Sequence, residues 1–314
     1  MDNQTVHFEF ELTGFPGVSQ NFYILTSFLL FIMYNIMFIT NGAVFIVILL
    51  KEKLHKPMYL LIANLAFSAF LFDTATLPKM IGKYWLDGGK ISSLACFVQM
   101  HLVHWLAIMD SLILTLMAFD RYIAICNPLR YSSTITYKLT MYACSSMWFC
   151  SDIILIDTII IAQYPFCGSN KVVSFYCSSS NILRLACANV TSTREVLSTV
   201  GLVVLFGTLA LIILSYVAIL LSVLSLKHWS GWRKAFHTCV THLFVNALFY
   251  VPRVFVYQAS YLKLVLSPDL AVFLIVLQSY LPHLANPFIY CLRTEEIKNI
   301  ISSTLKEMLN WKHN

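Results

Sequence analysis

Three stretches of this chain, residues 22–50, 196–226 and 270–292, contain no Asp, Glu, Lys or Arg. An α-helix needs about 20 consecutive apolar residues to cross a bilayer, so each stretch is long enough to span and the chain is not a water-soluble domain. Composition agrees: 59% of residues are hydrophobic and 11% charged, against roughly 45–50% and 25% for soluble domains. Four further segments, 57–80, 96–119, 139–164 and 235–261, are apolar at similar length with one or two charges each. Membrane β-strands would instead alternate in segments of about ten residues. The expected fold is an all-α membrane protein, a seven-transmembrane helix bundle forming one domain over 1–314. Its connections are short except for the stretch from about 163 to 194.

An odd number of spans puts the termini on opposite sides, and the distribution of basic residues assigns the sides. One face carries Lys51, Lys53, Lys56, Arg121, Arg130, Lys138, Lys227, Arg233, Lys234, Arg293, Lys298, Lys306 and Lys312. The other carries Lys79, Lys83, Lys90, Lys171, Arg184, Arg194 and Lys263, and Arg253 lies inside a span. The richer face is expected to be cytoplasmic and residues 1–21 extracellular. That segment has no basic start and holds Asp2, Glu9 and Glu11, so it does not read as a cleaved signal peptide. Asn3-Gln4-Thr5 is a glycosylation sequon on the outer side, with Asn3 the acceptor, and a second sequon at Asn189 lies close to a span. Cys96, Cys167, Cys177 and Cys187 fall on the oxidising side, an even number that allows three pairings.

At the inner end of the third span the chain reads Met117-Ala118-Phe119-Asp120-Arg121-Tyr122-Ile123-Ala124-Ile125-Cys126. With Leu54-His55-Lys56-Pro57-Met58-Tyr59, Ser215-Tyr216, Lys234-Ala235-Phe236-His237-Thr238-Cys239 and Asn286-Pro287-Phe288-Ile289-Tyr290, this resembles the odorant receptor family of rhodopsin-like (class A) G-protein-coupled receptors. The motifs stand in the family's order from Asn41 to about Arg293. The resemblance implies disulfides Cys96–Cys177 and Cys167–Cys187. It implies a switch in which Arg121 exchanges Asp120 for a partner in a heterotrimeric G protein, flanked by Tyr122 and supported by Tyr216 and Tyr290. It also implies a stimulatory, cAMP-raising pathway and the ciliary membrane of olfactory neurons. A departure stands at Ala69, where most rhodopsin-like receptors place a sodium-binding aspartate. Asp110, eleven residues before Arg121 and about 16 Å deeper in a helix, is the remaining candidate for a sodium ligand; hydrogen bonding to Ser111 or Asn286 is its structural alternative.

The outer half of the bundle is where a ligand is expected. His104 lies about 25 Å from Arg121 along the third span, and Arg253 about 28 Å from Lys234 along the sixth, which Pro252 kinks. Ala107, Ile108 and Ser111 share the face of His104, and Tyr257 stands one turn above Arg253. Together they describe an apolar pocket with a few convergent polar groups for a small-molecule odorant. A guanidinium in a span requires a counter-ion, and Asp73 is the expected structural partner unless an anionic ligand takes that place. Asp152 and Asp157 read as paired or protonated.

Residues after Arg293 place Ile297, Ile300, Ile301, Leu305, Met308 and Leu309 at helical spacing opposite lysines, a short amphipathic helix on the inner leaflet. His101 and His104 share a face without a further acid or cysteine at ligand spacing, and no nucleophile–base set or phosphate loop is present. An enzyme, a cofactor and a nucleic-acid partner are therefore not expected. A transporter would show internal repeats around midplane charges, and none is visible. A non-olfactory receptor for a small metabolite is the nearer alternative; Val103 stands where amine receptors carry an aspartate.

Overall fold

The computed structural model describes residues 9–153, 157–167, 169–224, 229–262 and 264–293. In chain order its elements are β1 (Glu9–Leu12), α1 (Tyr23–Leu50), α2 (Pro57–Leu86), β2 (Lys90–Ser92), α3 (Ser93–Cys126), α4 (Pro128–Thr134), α5 (Tyr137–Ile153), α6 (Asp157–Ala162), β3 (Lys171–Val172), α7 (Ser179–Ile182), α8 (Thr191–Leu224), α9 (Trp229–Tyr261) and α10 (Pro268–Arg293). Six helices, α1, α2, α3, α8, α9 and α10, are each long and apolar enough to cross a membrane. The fourth span is described as α5 and α6, and residues 154–156 between them lie outside the described part. Asp152 is drawn to His101 of α3 at 2.8 Å, as an ionisable group in hydrocarbon requires a partner. The Asn3 sequon and the amphipathic tail after Arg293 lie outside the described residues.

The bundle follows from where the apolar and polar side chains sit. α1 exposes Ile24, Leu25, Phe28, Leu29 and Ile39, and α8 exposes Val203, Leu214 and Leu221; in a bilayer these faces meet lipid. α3 runs through the middle and packs on α2, α5, α8 and α9. Its first turn is capped by Ser92, whose side chain accepts from the Ala95 amide, supplying one of the partners that a helix start lacks. Proline opens α2, α4 and α10, where the missing N–H costs nothing.

Hydrogen bonds between helices hold the bundle where apolar burial cannot discriminate protein from lipid. Asn41 of α1 donates to the His283 carbonyl of α10 at 3.0 Å. The Trp148 indole of α5 donates to Asn64 of α2 at 2.9 Å, and the Trp105 indole of α3 to the Trp148 carbonyl at 3.0 Å. The Tyr280 hydroxyl of α10 donates to Thr76 of α2 at 2.9 Å.

One end of the bundle is closed by a small sheet of order β2-β1-β3. β1 runs antiparallel to β2, with Phe10 opposite Ile91, and parallel to β3, with Leu12 opposite Val172. Its alternation buries Phe10 and Leu12 completely, and the Phe10 ring meets Phe97 and Phe166 edge-on. The chain then turns at Gly14, whose φ of +63° and closeness to the Tyr84 hydroxyl exclude a side chain. Disulfides join Cys96 to Cys177 and Cys167 to Cys187, with Cα separations of 5.5 and 5.8 Å. These are the two pairings that the family resemblance implies.

Phe10→Ala should cost about 3–5 kcal/mol of stability, as for truncation of a fully buried aromatic, and lower the fraction of receptor reaching the surface. The exposed Glu9→Ala is the control. Equal thermal stability of the two purified variants would show that the sheet does not fold with the bundle.

Candidate functional site

Two polar regions stand at different depths. The first lies toward the sheet-capped end. Here the Arg253 guanidinium stacks on the Phe249 ring, 3.5 Å from its centroid, and donates to the Phe249 carbonyl at 3.3 Å. Among the described residues no acid stands at ion-pair distance from it. The groups that act on it electrostatically are Asp110 and the phenols of Tyr176, Tyr250 and Tyr257.

Asp73, the expected counter-ion of Arg253, is engaged elsewhere: its Oδ1 is 2.8 Å from His283 Nδ1. The reason is position. His283 of α10 faces α2 directly, while Arg253 is turned toward its own preceding turn on α9. Asp110 also differs from its expected arrangement. Neither Ser111 nor Asn286 holds it, since Ser111 donates to the Ala107 carbonyl at 3.0 Å and Asn286 Oδ1 is buried without a partner. Instead Asp110 Oδ2 lies 3.6 Å from His283 Nε2. Among the described residues no group of three or more His, Cys, Asp or Glu side chains is arranged to hold a metal ion. With Ala69 offering no oxygen and an imidazole facing Asp110, these residues do not fit a sodium site.

The loop between α6 and α8 completes this region. Cys177 is tied to α3 by its disulfide, and its amide donates to Gln99 at 2.9 Å. The tether sends Tyr176 inward, where its hydroxyl pairs with Ser279 of α10 at 2.9 Å and its ring meets Phe72 edge-on. Burial pushes this loop phenol above its ordinary range, so it stays neutral. Three residues on, Ser179 faces His104 Nε2 at 3.5 Å. The loop thus reaches both His104 and the surroundings of Arg253. Ala107 and Ile108 are half-buried on the same stretch of α3. Tyr257 lies against Gly201 of α8, where a Cβ would meet the phenol. Tyr176 and Ser279 were not legible as site residues. The only hint was the position of Tyr176 beside a cysteine in the longest loop.

The second region is at the opposite end. Arg121 and Asp120 form an ion pair at 3.0 Å, both largely buried. Tyr131 of α4 donates to Asp120 Oδ1 at 2.8 Å. Burial first, and then the Asp120 carboxylate, raise the Tyr131 phenol far above its ordinary range, which keeps its proton available for that bond. Tyr122 packs with Ile125, Cys126 and Tyr216 around Ile219, Val223 and Cys239. The Tyr216 hydroxyl is buried without a hydrogen-bond partner, and Tyr290 turns its hydroxyl to the Met117 sulfur at 3.9 Å. Among the described residues the ion pair that Arg121 makes is with its own neighbour, Asp120. Tyr131 had gone unnoticed in the sequence, eleven residues past Asp120 on a different helix.

Comparison with known proteins bears on the family and the fold. A family profile described as olfactory receptor matches residues 30–308. The chain is 34% identical to human olfactory receptor 1M1 over 99% of its own length and 97% of that protein's. It is 33% identical to human olfactory receptor 2A12 and to mouse olfactory receptor 6B9, in each case over at least 96% of both chains. In fold it is similar to the crystal structure of squid rhodopsin, with a TM-score of 0.74 at 19% identity, covering 94% of this chain and 88% of that one. The chain belongs to the olfactory receptor family: it is a multi-pass membrane protein and an odorant-sensing G-protein-coupled receptor, not an enzyme.

Proposed function

We propose that this receptor binds a small odorant with an apolar body and an anionic or strongly accepting end, within the bundle near the sheet-capped end. The observation that carries the reading is Arg253, a guanidinium inside a span that, among the described residues, has one hydrogen bond, to the Phe249 carbonyl, and no carboxylate at ion-pair distance. Such a charge is costly in hydrocarbon, and a carboxylate offering two oxygens can engage its free N–H groups in charge-assisted, bidentate fashion. Tyr257 stands one turn away. His104, Ala107, Ile108 and Ser111 supply the facing wall from α3, with Tyr176 and Ser279 closing it from the loop and α10.

The sheet-capped end, with the disulfides and residue 9 onward, is the extracellular side in this reading, by the distribution of basic residues. Arg121 then faces the cytoplasm. Outward movement of the inner end of α9 frees it from Asp120 to meet a heterotrimeric G protein of the stimulatory olfactory type, which raises cAMP, while Tyr216 and Tyr290 turn to support the open form. The receptor is placed in the ciliary membrane of olfactory neurons, with Asn3 glycosylated outside.

Arg253→Gln should weaken an acidic agonist about 10- to 100-fold, the equivalent of one hydrogen bond to a charged group, with Arg253→Lys intermediate. A neutral analogue of the same body should change little. Equal loss for both agonists at matched surface expression would sink the ligand class.

Arg121→Ala should abolish agonist-evoked cAMP and preserve agonist binding, because the two regions lie at opposite ends of the bundle. Tyr131→Phe removes one of the two holds on Asp120, a hydrogen bond to a charged group that contributes about 1.5–3 kcal/mol, and should raise agonist-free cAMP at least severalfold. Unchanged basal cAMP in well-expressed Tyr131→Phe would show that Tyr131 does not restrain the switch.

A further inference from the structure

The residues around Asp110 do more than fail to suit sodium. His283 of α10 lies between two acids from two other helices: its Nδ1 is 2.8 Å from Asp73 of α2 and its Nε2 is 3.6 Å from Asp110 of α3. All three side chains are nearly inaccessible, at 4%, 1% and 3% exposure. The ring is further fixed by Phe72, edge-on at 5.1 Å, and its backbone carbonyl by Asn41 of α1. A neutral imidazole has one donor and one acceptor, so one of its nitrogens would turn a lone pair toward a carboxylate; only the doubly protonated ring presents a donor to both.

We infer that His283 is the internal cation of this receptor, an imidazolium of its own chain held between Asp73 and Asp110 in place of a bound sodium ion. Charge balance supports this. The two acids are offset by the imidazolium and by Arg253 of α9, which acts electrostatically on Asp110. An added cation would enter a neutral cluster and have to displace the ring. The other oxygens, Asp73 Oδ2 and Asp110 Oδ1, are buried without a hydrogen-bond partner, so the ring is the group on which both carboxylates depend. Removing it leaves two acids with no donor, and their combined charge then favours a cation from solution.

The experiment is thermal unfolding of the purified full-length receptor in about 150 mM sodium chloride and in the same concentration of N-methyl-D-glucamine chloride, which holds ionic strength fixed. The unaltered receptor should unfold within about 1 °C in the two salts, whereas His283→Asn should be less stable and recover roughly 2–4 °C in sodium. The double variant His283→Asn with Asp73→Asn, which removes one acid together with the cation, should lose that recovery. A saturable sodium stabilisation of the unaltered receptor would overturn the inference, as would His283→Asn retaining full stability without sodium. The first comparison needs no variant, so a poorly folding substitution leaves the test decisive.

Discussion

Hydrocarbon offers no hydrogen bonds, and every polar group that enters it must be completed by the protein itself. That constraint selects the helices, whose backbones satisfy themselves, and then decides how the helices meet. The contacts that fix neighbours in this receptor are polar ones set in apolar surroundings: Asn41 on the His283 carbonyl, the Trp148 indole on Asn64, Tyr280 on Thr76. Leucine against leucine would hold as well against lipid. An amide or indole that can be satisfied at only one position on a neighbouring helix fixes rotation and depth together.

The same constraint explains what could be read from the chain beforehand. Spans were legible because uncharged length is a one-dimensional property, and the switch because Asp120, Arg121 and Tyr122 are contiguous. Charged residues inside spans were recognisable as sites needing explanation. Their partners were not, since pairing depends on helix rotation and depth. Arg253 and Asp73 stand at comparable depth in the sequence, yet Asp73 meets His283 and Arg253 meets Phe249. His283 was overlooked because a histidine does not interrupt an uncharged run. In a span it deserved the same question as Asp110: which group meets each of its polar atoms? Nor does hydropathy, which averages over Asp152, reveal that His101 of α3 meets it.

The two functional regions are physically connected through α3. Asp110 lies on it between the surroundings of Arg253 and the Asp120–Arg121 pair, and the helix packs against α2, α5, α8 and α9. In the proposed reading, a charge placed near Arg253 would alter the balance felt by Asp110, which His283 of α10 links to Asp73 of α2. Tyr290 is on that same α10, one turn beyond Asn286. Coupling of distant sites requires two arrangements of such a packed unit, with contacts at each end that favour one over the other.

The middle position of β1 in its sheet has a consequence for biosynthesis. A strand that pairs on both edges is complete only when both neighbours exist, and these lie about 80 and 160 residues further along the chain. A segment made before either neighbour is therefore among the last to be fixed, and closing so long a loop is slow. Until residue 171 has emerged, β1 lacks its β3 partner, and Leu12 lacks Val172 opposite it. Completion of the cap reports in one step that the first four spans and the following loop have all been placed.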